Sequence, residues 1–435
     1  MPWRARADTL QPDLLVVVFL GMLWARVSDV GIHEHALPSL VVPFAVGLIC
    51  LSMLRRLAAG ERLNAATFRR LFPVLPYLAV VGLSLFWASA PDVTLTTAFD
   101  LAKDLLIFWV LVELIGHVRT LKACCLALTF VAGTLAALSV YQQATATFTS
   151  DYGGFAQASV RQIVGTVNLY RLAGPIGDPN YYALILLVVV PAGLALLRTS
   201  LHWLTKLLVV GATFTIAGAV LLTYSRGGAL VLALGVLLSL VGFRIRVPFL
   251  AASLAIVLPL ALVLTPSPVW DRLGTLLNPF HDDGPLGQLV DDSVALRLGA
   301  QRVALEMFLD HPFGGVGAGN YPLLYQEYSR NLGVPAVASQ FYPHNLYLQV
   351  AAETGVMGLI TFLPIIVAPL VALERTRRSS ASTEWRELAF GVEVALVCYL
   401  VASVMLHASY PRYLWMLLAL AVAARQVAPV IQPRT

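Results

Sequence analysis

Residues 181–197 read YYALILLVVVPAGLALL, an apolar run without a charged side chain. A run of this length nearly crosses the hydrocarbon layer of a membrane as an α-helix. Similar runs recur along the 435-residue chain, which is 58% hydrophobic and only 12% charged, with a mean hydropathy of +0.78. A typical soluble domain carries about 25% charged residues. The sequence therefore predicts an all-α polytopic membrane protein.

The lengths of the apolar runs predict about twelve transmembrane helices. They are placed at residues 13–30, 37–54, 71–88, 99–116, 124–141, 181–197, 204–223, 228–243, 247–265, 346–373, 387–406 and 412–428. The first run is treated as a retained span because no convincing small-residue cleavage site follows it. We predict a single integral membrane domain over residues 1–435. A smaller polar loop at 142–180 and a large, partly helical loop at 266–345 interrupt it.

The distribution of Lys and Arg predicts the orientation of the chain. Most of these residues fall in alternate short loops, and such loops face the cytoplasm. Both termini are then cytoplasmic, and the loops 142–180 and 266–345 share the opposite face. The net charge of +5 reflects this topology, so we expect no nucleic-acid partner. The short basic loops suit anionic lipid headgroups. The four cysteines fall in apolar spans and give no disulfide or metal pattern.

Several arginines lie on the face opposite the cytoplasm, against the charge bias, and a bound anion is the simplest reason for them. Arg226 follows Tyr224-Ser225 and precedes Gly227-Gly228 at a turn between two spans. The glycines allow close backbone approach, and a guanidinium can bind phosphate through two parallel hydrogen bonds. The alternative is a snorkelling arginine in a short hairpin. We assign Arg226 to a phosphate-binding site, supported by Tyr224.

Two further arginines lie on a predicted helix that Ser293 would cap and that would run to about Leu309. Arg297 and Arg302 are five residues apart, so they project about 140° apart around the helix. They are not expected to bind the same oxygen. We favour Arg297 for the site and keep Arg302 as a second candidate, with pairing to a carboxylate as its alternative role.

His344 is the candidate for acid–base chemistry. It opens the span at 346–373, with Asn345 beside it and Tyr347 following. Residues 345, 349 and 353 recur every four positions, so Asn345, Gln349 and Glu353 form one polar stripe, which in a membrane helix faces a cavity or the protein interior. A histidine is the usual side chain for proton abstraction near neutral pH. A helix-capping or core histidine is the alternative.

The remaining polar residues give weaker signals. Arg171 lies in the loop 142–180, where Asp178 or Asn180 is expected to cap the helix that opens at Tyr181. Arg412 opens the last span and adds a further positive charge. A local ion-pair cluster explains Asp100, Lys103 and Asp104. His311-Pro312 and the glycine-rich run after it indicate a helix stop and a turn, since neither a Walker nor a Rossmann pattern is complete. No metal-ligand spacing is visible, so we expect no metal and no cofactor.

Together, these residues suit a lipid-linked diphosphate donor, because arginines stabilise the charge of the leaving group and a histidine takes a proton from an acceptor hydroxyl. They also resemble a known family, the bacterial O-antigen ligase superfamily. The resemblance is carried by Tyr224-Ser225-Arg226-Gly227, Gly177-Asp178-Pro179-Asn180, the Arg297 helix, His311-Pro312 with Gly315-Val316-Gly317, and His344-Asn345-Leu346-Tyr347-Leu348 with Glu353-Thr354-Gly355. It covers residues 140–420 and is strongest in 293–360.

The resemblance implies a multi-pass enzyme of the bacterial inner membrane whose active site faces the periplasm. Such ligases move O-antigen polysaccharide from undecaprenyl diphosphate to a sugar hydroxyl of lipid A-core without a metal. Carried onto this chain, Arg226 and Arg297 bind the diphosphate, Arg171 and Arg412 add to that site, and His344 is the base. A single displacement by a base-activated hydroxyl inverts the anomeric centre.

Two groups of alternatives stay open. The superfamily also contains O-antigen polymerases and protein O-oligosaccharyltransferases. The latter are longer, often with a C-terminal periplasmic domain that is not visible here, so a ligase is preferred. An anionic-lipid flippase or exporter is the alternative from another class. A transporter would carry charge deep in several spans and show repeat symmetry, whereas these charges gather at one face. The sequence leaves the oligomeric state open.

Overall fold

A computed structural model describes residues 14–58, 71–162, 168–243, 285–334, 341–406 and 412–429. These ranges are almost entirely helical. The helices are α1 (Leu14–Trp24), α2 (Val27–His35), α3 (Val41–Ala58), α4 (Leu75–Leu83), α5 (Pro91–Leu114), α6 (Val118–Thr145), α7 (Pro179–Leu187), α8 (Val190–Leu197), α9 (Trp203–Leu222), α10 (Arg226–Gly242), α11 (Pro285–Asp310), α12 (Tyr321–Asn331), α13 (Leu346–Ser379), α14 (Thr383–Ala402) and α15 (Arg412–Gln426).

Among the described residues, four segments are long and apolar enough to cross a membrane: α6, the pair α7–α8 over Pro179–Leu197, α9 and α13. A fifth span results if α1 and α2, which meet at a bend of 49°, are counted as one. This composition supports a helical, multi-pass membrane protein. The count of about twelve spans stays a prediction, and the span at 247–265 lies outside the described residues.

A β-hairpin lies in the loop 142–180, which the all-α prediction did not include. Strands β1 (Gln157–Gln162) and β2 (Asn168–Gly174) pair antiparallel, with Gln157 opposite Gly174 and Gln162 opposite Asn168. The hairpin ends at Gly174, whose φ of 53° and close packing against the ring of Tyr182 leave no room for a side chain. The hairpin therefore docks on α7, and it carries Arg171 there on β2.

Helix α14 fixes the direction of its neighbours. The start of α7 contacts the last turn of α14 through a hydrogen bond between the hydroxyls of Tyr181 and Tyr399 (3.0 Å). The backbone N–H of Leu346, at the start of α13, donates to the carbonyl of Ser403 (2.9 Å). Trp385, in the first turn of α14, donates to the carbonyl of Ala424 near the end of α15 (2.9 Å). Helices α7, α13 and α15 therefore all begin at the end of the bundle where α14 ends.

Helices α10 and α5 begin at this end too. Close approaches of α10 to α14 run from Gly235 at Cys398 to Gly242 at Phe390, so the two helices are antiparallel. Helix α5 lies parallel to α15, since Arg412 at the start of α15 faces Asp104 and Gln426 at its end donates to the carbonyl of Val112 (3.0 Å). Five described helices thus present their N-termini at one end of the bundle, called the His344 end below.

The glycine-rich segment 311–319 fills a break in α13. Gly355 has φ 64° and ψ −160°, which interrupts the helix and leaves backbone groups without helical partners. The N–H groups of Val316 and Gly317 donate to the carbonyls of Ala352 (2.9 Å) and Glu353 (3.0 Å), and the N–H of Val356 donates to the carbonyl of Pro312 (2.8 Å). The glycines therefore allow the backbone of this segment to bond directly to the backbone of α13. This agrees with the predicted turn and not with a phosphate-binding loop.

Helix α11 packs on α12 and α13 through a separate apolar cluster that includes Ala300, Ala304, Met307, Tyr325 and Ala352. The Tyr321 hydroxyl also donates to the carbonyl of Ala300 (2.7 Å). Burial is the main cause that raises the pKa of Tyr321, so its hydroxyl keeps the proton that it donates. Helix α11 begins at Pro285, eight residues before the cap expected at Ser293, so that predicted start was wrong.

Candidate functional site

Arg171 holds the turn that carries Arg226. Its side chain is only 4% exposed. Its Nε donates to the carbonyl of Thr223 (2.9 Å), and one terminal nitrogen donates to the amide oxygen of Asn180 (3.0 Å). The first of these bonds reaches the last residue before Tyr224. Arg171 therefore ties the hairpin to both the start of α7 and the turn between α9 and α10.

Asp178 is the residue that caps α7. Its carboxylate accepts from the N–H groups of Asn180 (2.7 Å) and Tyr181 (2.9 Å). Asn180, the other cap that the sequence allowed, instead accepts a hydrogen bond from Arg171 with its amide oxygen. The sequence did not indicate that partnership, because an amide two residues from a capping carboxylate has no sequence signature of its own.

Tyr224 and His344 share an unusual backbone conformation. Tyr224 has φ 53° and His344 has φ 49°, both in the left-handed region that side chains other than glycine rarely adopt. Each directly precedes a helix cap: Ser225 accepts from the N–H of Gly228 (3.2 Å), and Asn345 caps α13. Such strained residues persist where the surrounding structure fixes them, at a cost of about 1–3 kcal/mol each. Two of the predicted site residues are thus held in the same strained position before a helix.

His344 is fixed by its neighbours on both sides. Asn345 accepts from the N–H groups of Tyr347 (3.0 Å) and Leu348 (3.1 Å), so it is a helix cap as well as a polar neighbour of the histidine. The Tyr347 hydroxyl donates to the carbonyl of Leu400 (2.9 Å). The His344 ring lies edge-on to the ring of Phe341, with centroids 5.1 Å apart. Its left-handed backbone and half-buried ring therefore have a defined orientation.

The Arg226 turn and His344 are both connected to the end of α14. Tyr399 and Ser403, one helical turn apart at the end of α14, contact the starts of α7 and α13 respectively. The start of α7 is in turn bonded to Arg171, which holds the Arg226 turn. The structure therefore places Arg171, Arg226 and His344 at one end of the bundle. The N-termini of α7, α10 and α13 add a partial positive charge there, which favours an anion.

Arg297 and Arg302 have different surroundings on α11. Arg297 lies three and seven residues before Ala300 and Ala304, so it extends the buried stripe of the helix that packs on α13. It is half-buried, whereas Arg302 is exposed. Leu348, in the first turn of α13 after His344, packs against the apolar cluster that contains this stripe. This arrangement favours Arg297 for a site near His344.

Arg412 is bound by carboxylates. Its terminal nitrogen lies 2.9 Å from Asp29, and its Nε lies 3.6 Å from Asp104. Arg26 also binds Asp29 at 3.0 Å. The local cluster expected at residues 100–104 is therefore reduced to the pair Asp100–Lys103 (2.5 Å), because Asp104 faces Arg412 instead. The positive charge of Arg412 is largely compensated, which the sequence could not show because Asp29 is far away in the chain.

A cavity of about 340 Å³ adjoins the first turns of α13. Its polar lining includes Gln349 and Glu353, which belong to the predicted polar stripe, and Asp100. Gln349 donates to Glu353 (3.2 Å), and the other carboxylate oxygen of Glu353 accepts from the N–H of Gly319 (3.0 Å). Asn345 points instead to its own helix as the cap. The stripe is thus divided between capping and cavity lining.

Within the described ranges, no three His, Cys, Asp or Glu side chains are grouped as metal ligands would be. The acidic pair Asp282-Asp283 lies outside those ranges. Independence from a metal accordingly stays a prediction.

Comparison with known proteins gives one family match over part of the chain. Residues 211–363 match the family described as O-antigen ligase. This match supports membership in the O-antigen ligase superfamily. No curated protein matches the chain. The match contains Arg226, Arg297, Arg302 and His344, while Arg171 and Arg412 lie outside it.

The match confirms the resemblance to the O-antigen ligase superfamily drawn from the sequence. It implies a glycosyltransferase-like enzyme of the ligase and polymerase group, with polysaccharide and lipid substrates in general. The roles of individual residues are not given by the match.

Proposed function

We propose that the protein is an O-antigen ligase-type glycosyltransferase. It moves O-antigen polysaccharide from undecaprenyl diphosphate to a sugar hydroxyl of lipid A-core, at the periplasmic face of the bacterial inner membrane. The observation that carries this proposal is the joint position of Arg226 and His344 at one end of the helical bundle, inside the segment that matches the O-antigen ligase family.

Arg226 and Arg297 bind the diphosphate in this proposal. Arg226 is the first residue of α10, where the helix N-terminus adds to the charge of the guanidinium. As the bond to the sugar breaks, negative charge grows on the diphosphate, and fixed cations stabilise that charge in the transition state. Arg302 is a weaker candidate because its side chain is exposed.

His344 acts as the base. Its imidazole takes the proton from the acceptor hydroxyl, the hydroxyl oxygen bonds to the anomeric carbon, and the diphosphate leaves with the bonding electrons. This single displacement inverts the anomeric configuration. Asn345 and Tyr347 hold the backbone on which His344 sits, through the cap and the bond to Leu400.

Arg171 and Arg412 have supporting roles. Arg171 uses two of its donors to hold Thr223 and Asn180, so it positions the Arg226 turn. Arg412 is paired with Asp29 and Asp104, so it fastens the start of α15 to α2 and α5. Both are assigned here to the frame of the site rather than to direct contact with the diphosphate.

The test is transfer in vitro with the purified full-length protein in detergent or nanodiscs. The protein receives undecaprenyl-diphosphate-linked polysaccharide and lipid A-core, with and without a chelator. Covalent transfer to lipid A-core that is unchanged by the chelator, with inverted configuration, supports the proposal. Donor chains that lengthen without reaching lipid A-core identify a polymerase. Lipid movement across a vesicle bilayer with no covalent product contradicts an enzyme and identifies a flippase.

A further inference from the structure

The cavity beside α13 has no role in the chemistry proposed above. It is enclosed by α4, α5, α12, α13 and α15 together with residues 318–319 of the glycine-rich segment. We call it the α13 cavity and define it by Asp100, Tyr342, Gln349, Glu353 and Trp415. Its volume of about 340 Å³ lies near the lower end of the range of small-ligand sites, roughly 300–1,000 Å³.

The α13 cavity opens next to His344. Tyr342 and Leu346, two residues before and two residues after the histidine, both line it. Two residues of chain span at most about 7 Å, so a group at this end of the cavity lies within reach of the imidazole. A ligand in the cavity can therefore present an atom to His344.

The lining of the α13 cavity does not suit the diphosphate. Among the described residues that line the cavity, the ionisable side chains are the carboxyl groups of Asp100 and Glu353 and the hydroxyl groups of tyrosines, with no Lys or Arg. The lining offers an anion no cation, since Lys103, which is bound to Asp100 (2.5 Å), does not line the cavity. The proposed diphosphate ligands Arg226 and Arg297 belong to other elements and do not line the cavity.

The polar groups of the lining fit hydroxyls. A carboxylate accepts about four hydrogen bonds, and Glu353 receives three, from Gln349, Gly319 and the N–H of Tyr321. A sugar hydroxyl can donate to the same carboxylate and accept from Thr97 or a tyrosine. The rings of Tyr77, Tyr342 and Trp415 also line the cavity and can pack against the apolar C–H face of a sugar ring.

We propose that the α13 cavity binds the acceptor saccharide and presents its hydroxyl to His344, with Glu353 as the residue that determines acceptor specificity. This inference rests on the proposed function, since it names where the second substrate of that reaction binds. The donor diphosphate and the acceptor sugar then occupy separate compartments, one lined by arginines and one by carboxylates and aromatic rings.

The test measures binding of core oligosaccharide, released from lipid A by mild acid, to the full-length protein by saturation-transfer NMR. Glu353→Gln keeps the shape of the side chain but removes its charge and one acceptor, and Asp100→Asn does the same at an exposed position. Glu327→Gln, on the exposed face of α12, is the matched control. A lost hydrogen bond to a charged group corresponds to roughly tenfold weaker binding or more.

We expect Glu353→Gln to weaken oligosaccharide binding about tenfold, Asp100→Asn to weaken it less, and Glu327→Gln to leave it unchanged. In the transfer assay the KM for lipid A-core should rise while the KM for the donor stays constant. Equal binding of the oligosaccharide by all variants overturns the inference. Occupation of the cavity by a lipid tail instead of the sugar would also overturn it.

The two proposals fail in different ways. If the wild type transfers polysaccharide to lipid A-core but Glu353→Gln and Asp100→Asn keep the wild-type KM for the acceptor, only the inference about the cavity is wrong. If the wild type forms no covalent product at all, the proposed function is wrong.

Discussion

The contacts of Arg171 predict a result that separates positioning from charge. Replacement by Ala leaves the buried carbonyl of Thr223 and the half-buried amide oxygen of Asn180 without the donors of Arg171. Each unsatisfied group costs about 1–3 kcal/mol, so the loss of stability should be about 2–6 kcal/mol if the protein cannot relax. A shift of the Arg226 turn by about 1 Å would reduce transfer about a hundredfold.

Arg171→Lys is the decisive comparison. Lysine keeps the positive charge, but its single ammonium cannot reproduce the planar guanidinium that bonds Thr223 and Asn180 together. If Arg171 positions the turn, Lys behaves like Ala in thermal unfolding and in kcat/KM. If Arg171 instead binds the diphosphate by its charge, Lys retains most of the activity. Arg330→Ala, at an exposed position on α12, serves as the control for loss of an arginine.

Other substitutions test the remaining assignments. Arg297→Ala should raise the KM for the polyprenyl-diphosphate donor or lower kcat by at least tenfold, because it removes a charge-assisted hydrogen bond. Arg302→Ala should change neither constant by more than about twofold. Equal effects of the two substitutions would contradict the assignment of Arg297. Gly355→Ala should lower the unfolding temperature and the yield of folded protein, since the new Cβ would overlap the backbone of Phe313 and φ at this position is positive. An unchanged unfolding temperature would show that the break in α13 is not needed.

The sequence predicted the parts of the fold that depend on local pattern. Continuous apolar runs indicate membrane helices because the hydrocarbon layer demands both apolar side chains and satisfied backbone groups. Capping residues follow the same logic: Asp178, one of the two caps considered, is the cap of α7. The glycine-rich run after His311 is a turn, as expected from the missing Walker and Rossmann patterns.

Features that depend on distant contacts were not predictable. The β-hairpin is formed by the short strands 157–162 and 168–174, which lack a clear alternation of apolar and polar residues. The pairing of Arg412 with Asp29 joins opposite ends of the chain. The fit of the glycine-rich segment into the break at Gly355 depends on two backbones that approach each other only in the folded protein.

The candidate site also has residues that the sequence indicated and features that depend on the folded structure. His344 and Arg226 were proposed because their residue types and neighbours fit a chemical role, and their roles stay predictions. The left-handed backbone of Tyr224 and His344 has no signal in a single sequence, since neither residue is a glycine. The roles of Arg171 and Asn180 as a bonded pair emerge only from the packing of β2 on α7.

The central claim is that His344 takes part in the chemical step, and one pair of variants tests it most directly. His344→Asn suits the left-handed backbone, because Asn tolerates that conformation better than other side chains, and it removes the base. His311→Asn is the same change at an exposed residue and is the control.

The measurement is kcat for transfer to lipid A-core, together with the Kd for the donor. For His344→Asn we predict a fall in kcat of about 10²–10⁴-fold with an unchanged Kd for the donor, while His311→Asn stays at the wild-type values. A His344→Asn enzyme with wild-type kcat would contradict the account.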